Sequence, residues 1–72
     1  MSNNLYTKEH KAIIEKLKKA RQEAGLDQIA VAKKLGKTQS YVSKIESGQR
    51  KVEALQLKKF AKIYNKNITY FI

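Results

Sequence analysis

Apolar residues recur along this chain at three- and four-residue spacing, which is the period of helices with one buried face. Ile13, Leu17, Ala20 and Ala24 predict a first helix that starts after Thr7 and spans 8–24. Val31, Ala32 and Leu35 predict a second over 28–35, with Asp27 as its cap. Val42 and Ile45 mark a third over 39–47, opened by the hydroxyl of Thr38. Ala54, Leu57, Phe60, Ala61 and Tyr64 line one side of a fourth over 53–64, with Lys58, Lys59 and Lys62 on the other. Gly25, Gly36 and Gly48 each follow a helical stretch, where a residue without Cβ can end it, and Asn65 is a stop for the fourth. The tail 65–72 adds a final turn. The pattern predicts an all-α, compact four- to five-helix bundle in a single domain, 1–72, with short connections.

The third helix, TQSYVSKIES over 38–47, contributes little to such a core. With Gln39 at zero and about 100° per residue, Ser43, Ser47, Ser40 and Lys44 fall at about 40°, about 80°, about 100° and about 140°. Ile45, Val42 and Glu46 fall at about 240°, about 300° and about 340°, with Tyr41 at an edge at about 200°. The outward face therefore carries short polar groups, one glutamine and one lysine. A merely solvated face more often carries Glu and Lys at i,i+4, and three serines are poor helix formers. A glutamine can bond bidentately to adenine, a lysine can donate to guanine, and serine suits either. Small side chains between them let the helix lie deep in a major groove.

Charge supports that chemistry. Sixteen Lys and Arg oppose six Asp and Glu, a net +10, which favours a polyanionic partner. Fourteen of the sixteen are lysines, leaving Arg21 and Arg50. A chain of 72 residues without cysteine and with one histidine, His10, has no route to disulfides, zinc fingers or thiol catalysis. A domain this small buries only about 60–65% of its unfolded surface, so dimerisation is the remaining common source of stability. No metal or cofactor is expected. No paired carboxylates, activated nucleophile or phosphate-cradling glycine loop suggest an enzyme. No stretch approaches the roughly 18 apolar residues of a membrane span, and Met1-Ser2-Asn3-Asn4 does not resemble a signal peptide, so a cytoplasmic protein is expected. His10 reads as an exposed first-turn residue.

Glu46 falls toward the packed side of its helix, and a buried carboxylate needs a charged partner. Arg21, beside Ala20 on the first helix, is the expected one. Gln28 and Gln39 open the second and third helices, where free N–H groups and the positive end of the helix dipole favour phosphate.

Leu26-Asp27-Gln28, Val31-Ala32, Leu35-Gly36, the run from Thr38 to Gly48, Arg50, and the Leu57, Phe60-Ala61, Tyr64 spacing together resemble the Cro/repressor-type helix-turn-helix family, also called the xenobiotic-response-element family. The similarity covers about 13–64. It implies a bundle of the phage-repressor DNA-binding-domain type. It further implies sequence-specific binding of double-stranded DNA at a palindromic operator, as a homodimer, in transcription regulation, from a bacterial or phage-encoded source. It implies that Gln28 contacts phosphate and braces Gln39, and that Gln39, Ser40 and Lys44 reach base edges with Thr38 and Ser43 close by. It gives the loop Ser47, Gly48, Gln49 and Arg50 to phosphate, through backbone N–H and side-chain groups. Arg21 and Glu46 match positions that form a buried ion pair in phage repressors of this type. Three residues depart from the pattern: Val52 stands at a frequent proline, Ile29 at a usually polar position, and Lys37 at a common apolar one.

Lys51, in the loop beside the reading helix, is the lysine best placed to join the phosphate contacts. Tyr41 has two open readings, a phosphate contact through its hydroxyl or a cover for the junction of helices two and three. Ile68, Tyr70, Phe71 and Ile72 either close the core or form a dimer seam, and the seam is the preferred expectation. The competing function is a protein-interaction module on the same fold, such as an antitoxin, using Ile29 and the tail against a protein partner.

Overall fold

Two side-chain caps set the turn at the centre of the molecule. The Asp27 carboxylate accepts from the Ala30 N–H at 2.8 Å, and the Thr38 hydroxyl accepts from the Tyr41 N–H at 3.1 Å. Such caps are each worth about 1 kcal/mol against alanine. Between them Gly36 takes a left-handed conformation, φ 72°, and the Lys37 N–H reaches back to the Ala32 carbonyl at 2.9 Å. The second helix therefore stops abruptly, and only three residues separate it from the third.

The structure, a computed structural model, describes residues 8–72. It contains α1 (Lys8–Glu23), α2 (Gln28–Leu35), α3 (Gln39–Glu46), α4 (Ala54–Ile63) and a 3-10 turn (Ile68–Tyr70). Among the described residues there is no strand. The Met1–Asn4 stretch and Thr7, used above to argue the absence of a leader and the start of the first helix, lie outside the described residues.

One core holds the helices together. Leu17 and Ala20 come from α1, Val31, Ala32 and Leu35 from α2, Val42 and Ile45 from α3, and Leu57, Phe60, Ala61 and Tyr64 from α4 and its end. Val52 fills the space below the loop that enters α4. Asn65 ends that helix with φ 57°, the left-handed geometry that asparagine tolerates better than most residues.

The buried stripe of α1 is His10, Ile14, Leu17 and Ala20, not the expected Ile13, Leu17, Ala20 and Ala24. Ile13 is half-buried, while Ala24 lies exposed beyond the helix end. His10 is buried at 5% exposure, correcting the expected exposed position, because it stands four residues before Ile14 and seven before Leu17 on one face. Ala54, expected to face inward, is exposed in the first turn of α4.

The tail also differs. Phe71 is 1% exposed and belongs to the core, so it is removed from the expected dimer seam. It meets Tyr70 edge to face at 5.0 Å. Ile68 and Tyr70 are half-buried against the same core, and only Ile72, at 72%, faces outward. Lys66 lies across the fold-back: its ammonium is 3.2 Å from Glu23 Oε1 and 4.7 Å from the Tyr70 ring centre.

Candidate nucleic-acid interface

Packing divides α3 sharply. Val42, Ile45 and Glu46 are buried, whereas Gln39, Ser40, Ser43 and Lys44 are exposed, with Ser47 just past the helix end also exposed. The turn that α2 makes at Gly36 lays α3 across the bundle with this polar side uncovered. The same turn leaves Thr38 exposed at the head of α3, its hydroxyl oxygen already used as the cap.

Behind the exposed side runs a hydrogen-bonded chain. Arg21 Nε donates to Glu46 Oε2 at 2.7 Å and Nη2 donates to Oε1 at 3.1 Å, a side-on fork matched to a carboxylate. Nη1 donates to the Leu26 carbonyl at 3.0 Å, so one guanidinium fastens α3 and the α1–α2 loop together. The bond to Glu46 holds the Arg21 guanidinium above its ordinary pKa, against the opposing effect of burial. Gln28 Nε2 donates to Glu46 Oε1 at 3.1 Å. Gln39 Nε2 then approaches Gln28 Oε1 at 3.5 Å, a long contact that joins the heads of α2 and α3. Sequence spacing pointed to Arg21 with Glu46, but the Gln28–Glu46 bond carries no local signal, since it joins residues brought together only by the α2–α3 packing.

Groups able to hydrogen-bond or attract phosphate flank this face. The first two N–H groups of α2 (Gln28, Ile29) and of α3 (Gln39, Ser40) have no partner among the described residues, as expected at helix N-termini. The loop after α3 behaves otherwise. The N–H groups of Ser47, Gly48, Gln49 and Arg50 all return to α3 carbonyls, at 2.9–3.1 Å. The expected backbone phosphate contact there is therefore corrected: those donors close the end of α3. Gly48, buried and at φ 83°, makes that reversal and has no side chain to offer. The exposed side chains of Gln49, Arg50 and Lys51 remain available, as does that of Ser47, whose hydroxyl donates to the Lys44 carbonyl at 3.2 Å.

Tyr41 is half-buried, with the Arg50 guanidinium 4.8 Å and the Lys37 ammonium 5.3 Å from its ring centre. The ring anchors both cations at the rim of a shallow basic hollow lined by Lys37, Thr38, Ser40, Tyr41, Lys44 and Arg50. This favours the junction-covering reading of Tyr41. Lys37 was missed as a site residue in the sequence, although its i,i+4 spacing to Tyr41 across the cap was a usable signal.

Among the described residues, no group of three His, Asp or Glu side chains is placed to hold a metal ion, and no helix is long and apolar enough to cross a membrane. In comparisons with known proteins, residues 17–71 match the family model described as helix-turn-helix. No curated protein matches the chain.

Proposed function

We propose that this chain, which belongs to the helix-turn-helix family of DNA-binding transcription regulators, is a repressor that reads a palindromic operator as a homodimer. One observation carries the proposal: α3 gives the core only Val42 and Ile45 with the paired Glu46, and leaves Gln39, Ser40, Ser43 and Lys44 uncovered. In this reading Gln39, Ser40 and Lys44 meet base edges, with Ser43 and Thr38 close to the duplex. Gln28 and the α2 N-terminus take one phosphate. Arg50, Lys51, Gln49, Ser47 and Lys37 approach others, with Tyr41 supporting the two cations beside it. The net +10 draws the whole molecule to DNA at low salt. Occupying the operator blocks other proteins from the same duplex, which is how binding alone represses.

The dimer seam in this reading is smaller than the tail suggested. Ile72 lines a hollow with Ala12, Ile13 and Phe71, flanked by Glu9 and Lys16, and this is the surface we assign to the second copy. A second reading, an antitoxin-like module, draws support from Ile29 and Leu55, which are 51% and 63% exposed. Pull-down with and without nuclease treatment separates them, since a protein partner survives the nuclease.

Selecting bound sites from a pool of random duplexes tests the proposal. The expected result is two inverted half-sites centred about 34 Å apart, one helical turn, or a multiple of that. A single unrepeated half-site would remove the homodimer, and the absence of any enriched sequence would remove base reading altogether.

A further inference from the structure

We infer that Glu46, a buried residue with no surface to offer DNA, selects the base that Gln39 reads, by fixing the polarity of the amides between them. The inference rests on the reading of α3 proposed above. A carboxylate only accepts hydrogen bonds. Gln28 must therefore meet Glu46 with its amide nitrogen, as it does at 3.1 Å; the opposite orientation would set two oxygens face to face. Glu46 cannot turn aside, because Arg21 holds both its oxygens and the side chain is enclosed.

With its nitrogen committed, Gln28 turns its carbonyl oxygen toward the head of α3. Gln39 can bond there only through Nε2, which lies 3.5 Å away. The chain of constraint then reaches the exposed face. Gln39 has one N–H turned inward, leaving its second N–H and its Oε1 in a fixed order. An acceptor beside a donor complements adenine, which shows an N6 donor and an N7 acceptor in the major groove. Guanine shows two acceptors there, and one of them would oppose Oε1. Glu46 is thus a positioning residue for specificity, and adenine is the base it selects.

Glu46→Gln inverts the logic. The new amide keeps its oxygen on Arg21 Nε, the shorter bond, gives up the Nη2 bond and offers nitrogen to Gln28, which turns over and in turn reverses Gln39, leaving two donors outward. Gln28→Met cuts the chain while leaving Arg21 and Glu46 paired. The test measures wild type, Gln39→Ala, Glu46→Gln and Gln28→Met against four duplexes differing at the base pair whose preference Gln39→Ala removes. Folding of each variant is checked first by circular dichroism. Wild type is expected to prefer adenine by about fivefold to a hundredfold. Glu46→Gln is expected to lose that preference toward guanine, and Gln28→Met to flatten it. Preference at the pair read by Lys44 stays unchanged in both, which general loosening would not allow.

Retention of the wild-type preference by folded Glu46→Gln or by Gln28→Met overturns the inference. Should Glu46→Gln not fold, Gln28→Met decides alone. If Gln39→Ala flattens a position where wild type prefers another base, the polarity argument falls while the reading of α3 stands. If Gln39→Ala changes no base preference, both fall.

Discussion

Arg21 on α1 meets Glu46 on α3 across 25 positions of sequence, with Nε 2.7 Å from Oε2 and the carboxylate almost wholly enclosed. The pair fixes the angle at which the polar face of α3 is presented. Removing one partner leaves a buried charge uncompensated, so Arg21→Ala is expected to lower stability by about 3–5 kcal/mol. Chemical denaturation measures this, and an unchanged midpoint would mean that water reaches Glu46.

Tyr64 lies close to that pair, 4% exposed, with no hydrogen-bond partner for its hydroxyl among the described residues. Burial raises its pKa above the ordinary 10.0, the Glu46 charge adds to this, and Arg21 opposes it. Above pH 10 the unfolded chain then releases a proton that the folded chain retains. By linkage, stability falls as pH rises through that range. Tyr64→Phe is expected to flatten the fall and to leave neutral-pH stability equal or higher. Thermal melts of both proteins from pH 8 to 11 check it, with parallel curves counting against the assignment.

Phe71 closes the core, whereas its neighbour Ile72 does not. Phe71→Ala is expected to cost about 3–5 kcal/mol, by cavity formation and lost burial. Ile72→Ala should shift the unfolding of dilute, monomeric protein by no more than about 0.5 kcal/mol. In the proposed dimer, Ile72→Asp weakens association, which sedimentation as a function of concentration would show.

Arg50 lies over the Tyr41 ring at the edge of the exposed polar face of α3. Arg50→Ala is expected to weaken binding to all duplexes alike and to reduce the slope of log affinity against log salt by about one. Binding isotherms between low and moderate salt give the slope directly. A loss confined to particular sequences would instead make Arg50 a base-reading residue.

Much of this architecture was legible in the sequence because local rules govern it. Asp27 and Thr38 cap, Gly36 reverses the chain, and the Val42, Ile45 spacing turns Gln39, Ser40 and Lys44 outward. Where local rules were degenerate, the reading slipped. Ile13 and Ile14 are adjacent, and the 13-17-20-24 and 10-14-17-20 sets both fit one helical face. The structure takes the second, which buries His10 and directs Arg21 toward Glu46. The tail was ambiguous for another reason: aromatic residues suit both a core and a seam, and only the packing of the folded-back tail against the helices places Phe71 in the core. In the loop after α3, the helix's need to satisfy its last carbonyls outweighed the phosphate role expected for backbone N–H groups.

The uncovered side of α3 is the feature on which the account depends, and Gln39→Ala tests it most directly. Affinity is measured for a selected site and for random duplex at the same salt. The account predicts a loss of about 1–3 kcal/mol on the selected site and little change on random DNA. Equal losses on the two would contradict it, because a residue that reads a base cannot matter equally where that base is absent.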